Sequence, residues 1–298
     1  MRADNASRAI LFLLSTSLAQ GALAQVPAEK VHFKVADAFE PGAAVVGQLR
    51  VPIAKADRLP AVMIVNSSPG FDGRSAFYAE ALNRAGIATL ELDFMQGRGM
   101  PASPGQHLAH AYETLQYLAS DSRIDGARIG IMGVSWGGMI ALLTSSAELT
   151  QKYTGDRLRF SAHLGAYPIC WRHELVVAGK DKYLGSGIYG RVTGRPVHIL
   201  AGGKDDFDEP DSCNRFLDAL PVDARRHFSL TMYPGATFGW DSRFSSASWD
   251  AGARKSKGGV VHIVADAEVA DRSREFVVGY FTKHLHVGSG VHSQPSPP

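Results

Sequence analysis

Short, uninterrupted apolar runs recur along this chain and alternate with stretches whose apolar residues fall at helical spacing. Ala61–Val65 (AVMIV), Ile87–Phe94, Arg128–Met132, Phe160–Leu164, Val197–Ala201 and Phe228–Met232 are the runs, with Val31–Ala36 and Ala44–Val51 as opening strands. Between them, Ser75–Arg84, Leu108–Leu118, Met139–Leu143 and Asp211–Leu220 read as helices, and Val269–Leu285 closes the chain as another. Strands that are apolar throughout must be covered on both faces, so the pattern predicts a doubly wound, mostly parallel α/β sheet. In such sheets ligands bind beyond the carboxyl ends of the strands, which makes the loops after each strand the places to search.

The termini stand apart from this pattern. Arg2 and Arg8 precede the apolar Ala9–Leu18 segment, and Ala22-Leu23-Ala24 precedes Gln25. This is the pattern of a secretory signal peptide over residues 1–24, and the run is too short to anchor the chain in a bilayer. The expected mature domain is 25–287, periplasmic or secreted, with no stable membrane insertion and a disordered tail at 288–298. Loss of Arg2, Arg8 and Asp4 turns 31 basic and 29 acidic residues into 29 and 28, a formal charge of +1. Neither a nucleic-acid footprint nor strong electrostatic steering follows from that balance. Two cysteines, Cys170 and Cys213, exclude a disulfide-dense scaffold, but export permits them to pair.

Gly133-Val134-Ser135-Trp136-Gly137 is a G-x-S-x-G run with a strand before it and a helix after it. That context makes Ser135 the expected nucleophile on a tight strand-to-helix turn. The N–H of Trp136 is the first expected oxyanion donor; the second should come from the loop after Ala61–Val65, with Ser68 chosen over Ser67. After Val197–Ala201 comes Gly202-Gly203-Lys204-Asp205-Asp206, where a Ser…Asp…His hydrolase places its orienting acid. Asp205 is the expected acid and Asp206 the alternative. Trp136, Trp171, Phe71 and Trp240 are candidate walls of an apolar acyl pocket.

Together these runs resemble the dienelactone hydrolase family of the α/β-hydrolase superfamily. The resemblance extends through FDGRSAFYAEALNRAGIATLELDF, YPICW, FDEPDSC and YPGA, covering about Val31 to Leu285. It implies cofactor-free hydrolysis of an ester, lactone or related small acyl substrate. One departure stands out. The family's histidine is expected two residues after YPGA, where this chain has Phe238. Of eleven histidines, only His107, His173 and His262 fall in loops or helix starts on the right side of the predicted sheet. His262 alone keeps the order Ser…Asp…His, so it is the expected relocated base. The alternative is a degenerate hydrolase-fold binding protein with little turnover. A metal site is not expected, because no histidine pair has a third ligand at suitable spacing.

Overall fold

The computed structural model describes residues 26–34, 44–53, 56–94, 104–185 and 187–287. The expected signal peptide and C-terminal tail lie outside them. The chain runs β1 (Glu29–Lys34), β2 (Ala44–Arg50), β3 (Leu59–Val65), α1 (Arg74–Arg84), β4 (Ala88–Asp93), α2 (Pro104–Ser120) and β5 (Ile124–Val134). It continues through α3 (Trp136–Leu143), α4 (Ala147–Thr154), β6 (His163–Ala166), α5 (Cys170–Val177), β7 (Val197–Gly202) and α6 (Ser212–Ala219). Then follow α7 (Val222–Arg225), β8 (Phe228–Tyr233), β9 (Ser246–Asp250), the short turn α8 (Ala253–Ser256), β10 (Gly259–Ile263) and α9 (Ala267–His284).

Eight strands form one sheet in the order β1-β2-β4-β3-β5-β6-β7-β8. The β1–β2 and β2–β4 pairs are antiparallel and every later pair is parallel, so the sheet is the mostly parallel α/β sheet the sequence predicts. Strand β3 shows why both faces are covered. Ala61, Met63 and Val65 pack into one apolar layer, and Val62 and Ile64 into the other. The first layer holds Leu108, Leu115, Ile140 and Phe216 from α2, α3 and α6. The second holds Tyr78 and Leu82 of α1 and Val277 and Phe281 of α9. Helix α9 starts where the Asp266 carboxylate accepts a hydrogen bond from the Val269 N–H, a side-chain cap at 3.0 Å.

Three segments depart from the sequence reading. The stretch around Cys170 and His173 forms α5 rather than a loop, and α4 fills the space after α3. Residues 246–263 form a separate two-stranded ribbon, β9 paired antiparallel with β10. The ribbon escapes the apolar-run criterion because all of β9 is exposed.

Cys170, at the start of α5, is disulfide-bonded to Cys213 in α6. The bond closes a loop with a sequence separation of 43 residues. Closing a loop of that length restricts the unfolded chain by about 4 kcal/mol on the chain-entropy estimate. Replacing both cysteines with serine is expected to lower the melting temperature by roughly 10 °C, measured by calorimetry under non-reducing conditions. An unchanged transition would show that the crosslink does not stabilise the domain.

Candidate active site

The site is built around the turn from β5 into α3. Ser135 has φ 53° and ψ −118°, a left-handed backbone conformation that a serine adopts only when its surroundings force it. The forcing is visible at the two flanking glycines. A Cβ on Gly133 would lie 2.2 Å from the backbone of Gly137, and a Cβ on Gly137 would lie 2.1 Å from the Val65 carbonyl oxygen. Only hydrogen fits at either position. The turn is further tied to the sheet by the Ser135 N–H, which donates to the Ala166 carbonyl at 2.9 Å. Ser135 is thereby held at the top of the sheet, at the N-terminal end of α3, where the helix favours a developing negative charge.

The close approach of Gly137 to Val65 brings the loop after β3 alongside the first turn of α3. Ser67, Ser68, Ser135 and Trp136 all line one cavity of about 500 Å³. Among the described residues the Trp136 and Ser68 N–H groups make no hydrogen bond, as donors reserved for an oxyanion would. The loop is held from below. Asn66 Nδ2 donates to the Leu92 carbonyl at 2.9 Å, and Ser75 Oγ donates to Asn66 Oδ1 at 2.5 Å. The Ser67 hydroxyl accepts from the buried Arg74 guanidinium.

Arg74 lines the cavity and was not singled out by the sequence. Its guanidinium also donates to Asp72 and, at 3.2 Å, to the Tyr167 hydroxyl. Tyr167 and Tyr78 donate to Asp241 at 2.5 and 2.7 Å, which links the oxyanion loop to a carboxyl buried in the core. Burial works against the Arg74 charge, but Tyr167, Asp72 and Asp241 outweigh it and hold the group protonated. Burial also raises the Asp241 carboxyl above the usual range, with Arg74 opposing. No periodicity marks Arg74; a lone arginine just after a strand-end loop was the sole signal.

Asp205 lies in the loop after β7, as expected for an orienting acid. It is buried, and its Oδ1 accepts the N–H groups of Phe207 (3.0 Å) and Asp208 (2.9 Å). Burial pushes its pKa up to about 8, against those two hydrogen bonds and with help from the nearby Asp208 and Asp206 charges. The adjoining loop is packed closely on it: Lys204 N–H donates to the Ala236 carbonyl at 2.8 Å. Phe238 follows on that loop and lines the cavity, its ring stacked on Phe207 at 4.7 Å and edge-on to Tyr167 at 5.0 Å. An apolar ring therefore occupies the wall where the resemblance places an imidazole.

The expected Asp205–His262 pair is not formed. His262 does have a carboxylate partner, but it is Asp206: Nδ1 lies 2.7 Å from Oδ2, and the His262 N–H donates to Oδ1 at 3.0 Å. The cause is strand alternation. In β10, Val261 and Ile263 face the cavity, while the His262 between them is exposed and absent from the cavity wall. His107 and His173 are also elsewhere. His107 accepts the Trp136 indole N–H at 2.7 Å, and His173 is buried against Tyr189. Burial depresses both to about 3, so both rings are neutral. No histidine lines the Ser135 cavity among the described residues. Of the four proposed aromatic walls, Trp136 and Trp171 line it; Trp240 is buried in the core and Phe71 is partly exposed away from it. Ser248, Asp250 and Gly252 of the ribbon also line the cavity, from a segment with no apolar period to reveal it.

The geometry defines an α/β-hydrolase with a serine elbow. The sequence profile of the dienelactone hydrolase family matches residues 72–285, and the chain belongs to that family. Comparison with curated protein sequences finds no match. Among solved structures, a dienelactone hydrolase-like promiscuous phosphotriesterase from metagenomic libraries superposes with TM-score 0.63 at 17% identity, covering 88% of this chain and 99% of its own. The thermophilic esterase Est2 of the planctomycete Thermogutta terrifontis, with propionate bound, gives 0.64 at 15% identity, covering 89% and 97%. Est1E from Butyrivibrio proteoclasticus gives 0.58 at 15%, covering 86% and 99%. These likenesses establish the shared fold.

The buried Asp205 yields a prediction. Its native pKa of about 8 lies above the ordinary 3.8, so between those values the folded chain holds a proton that the unfolded chain releases. Stability from this group is therefore full below about pH 4 and is lost as pH rises toward about 8. Asp205→Asn keeps the acceptor for Phe207 and Asp208 but cannot ionise. The melting temperature of the variant should rise relative to the wild type across that window; parallel curves would show that the native carboxyl is already ionised.

Proposed function

We propose that the chain is an exported serine hydrolase of small, activated acyl substrates, with Ser135 as nucleophile. The observation that carries this reading is the strained Ser135 backbone beside a cavity also lined by Trp136 and Ser68, whose N–H groups make no hydrogen bond among the described residues. A strained, nearly buried serine beside two uncommitted donors has a clear use in acyl transfer and none in packing. The signal-like N-terminus and the Cys170–Cys213 disulfide both support export. Est2 holds propionate, and an acyl group of that size suits the apolar wall of Phe207, Phe238, Val261 and Ile263.

With Phe238 at the wall and no histidine lining the cavity among the described residues, the proposed chemistry uses no imidazole relay. The Ser135 oxygen attacks the acyl carbon, and its proton passes to solvent hydroxide. The carbonyl oxygen takes the negative charge against the Trp136 and Ser68 N–H groups. As the carbonyl re-forms, the leaving group departs as an anion and Ser135 carries the acyl chain, which water then releases as the acid. With no side chain to protonate it, the leaving group must be stable as an anion, so aryl and enol esters or lactones are favoured over alkyl esters.

The reading is tested with p-nitrophenyl acetate and a fluorophosphonate probe. Wild-type protein is expected to label and to turn over, and Ser135→Ala to do neither. No Ser135-dependent signal would refute the proposal. The logarithm of kcat/KM should rise with pH without levelling near neutrality. Phe238→His should raise kcat/KM by about 10²-fold and introduce an inflection near the ordinary imidazole pKa. A neutral plateau in the wild type would point instead to an undetected side-chain base.

A further inference from the structure

The Ser135 cavity does not end at its acyl wall. A second cavity of about 530 Å³ adjoins it, and the two share Trp136, Trp171, Arg172 and Ser256. Each alone would hold a drug-sized ligand, so together they exceed the needs of a short acyl group. The second cavity is lined by Lys180, Lys182 and Tyr183, from the turn that follows α5.

The charges in this groove are unevenly committed. Asp181 is the acid of its lining, and its carboxylate is consumed locally. It accepts from Arg172 Nη2 at 3.2 Å and from the Tyr183 and Leu184 N–H groups at 2.9 and 3.0 Å, with its side chain 3% exposed. Arg172 spends one of its five N–H donors there. Its guanidinium stands 5.8 Å from the Trp136 ring and 5.8 Å from the Trp171 ring, which fixes it at the junction of the two cavities. Lys255 is committed to Glu174 and Glu209. Lys180 and Lys182 form no ion pair among the described residues, and Lys182 lies over the Tyr183 ring. Trp171 forms the wall common to both cavities. Trp171 is 94% buried, since it is 6% exposed, and its indole N–H has no acceptor among the described residues although the ring walls both cavities.

We infer that this groove is a distal subsite for a negatively charged end of the substrate: the preferred ester carries an anionic oxygen group, carboxylate or phosphate, several bonds from the scissile carbonyl. Arg172 receives the anion at the junction, Lys180 and Lys182 draw it outward, and the Trp136, Trp171 and Tyr183 rings flank the linker. The inference rests on the proposed Ser135 chemistry for the position of the scissile bond, but the binding of the anion does not require turnover.

The test compares mono-p-nitrophenyl esters of glutaric to suberic acid with neutral p-nitrophenyl alkanoates of matched length. The ratio of kcat/KM for the anionic over the neutral ester is expected to be at least about tenfold at low salt and to fall as salt screens it. The double variant Lys180→Glu/Lys182→Glu, at two exposed positions where folding is not at stake, should lower that ratio about tenfold. A ratio near one, or one the double variant leaves unchanged, would overturn the subsite. Should neither ester be turned over, Ser135→Ala protein is titrated with monoethyl suberate and with diethyl suberate, followed by tryptophan fluorescence. Tighter binding of the mono-anion sustains the subsite while the hydrolase reading falls; equal binding removes the subsite. Competition by acetate or by inorganic phosphate then assigns the anion, and competition by neither counts against it.

Discussion

The site depends on one contact: the backbone of Gly137 against the carbonyl end of β3. A Cβ there would sit 2.1 Å from the Val65 oxygen, so α3 starts closer to the sheet than any side chain allows. That approach brings the loop after β3 alongside the first turn of α3, and it forces Ser135 into its left-handed conformation. The placement of Ser135 and of the proposed donors at Trp136 and Ser68 thus follows from a single packing constraint. The parallel β3–β5 pairing maintains it, with Val65 opposite Gly133 in register.

A second constraint is electrostatic. Asp205 is buried where an orienting acid belongs, yet the neighbouring wall presents Phe238 and Phe207 instead of a cation. Without a positive partner, burial decides its state and the carboxyl holds its proton. Deeper in the core the balance is reversed. Arg74, Tyr167, Asp241 and Tyr78 form a satisfied chain of donors and acceptors that carries a buried cation beneath the oxyanion loop.

How much of this was legible in the sequence varied with the kind of signal. The sheet was legible because its strands are apolar on both faces, as β3 illustrates with every residue buried. The strand-to-helix turn at Ser135 and the place of Asp205 in the loop after β7 were legible because a tight turn and a strand end leave fixed spacings. His262, expected to follow the last strand, lies within β10 and faces away from the cavity. Whether a residue in a short ribbon points inward depends on register, and β9 supplies no apolar alternation from which to read it. Arg172 and the turn at Lys180–Tyr183 gave no warning either. Their relation to Ser135 comes from the packing of α5 and its disulfide to α6, which no spacing encodes.

The β9–β10 ribbon has a consequence for the wall of the cavity. Its two strands pair only with each other, and its ties to the domain are the packing of Ala253, Val261 and Ile263 on the core, the Asp206–His262 pair, the Arg254 N–H bond to Phe207 and the Lys255 ion pairs. An isolated two-stranded unit is marginally stable, so the ribbon holds its place through these contacts with the domain and not through its own pairing. The shape of that wall is therefore set by the ribbon's contacts with the domain as much as by the residues around Ser135.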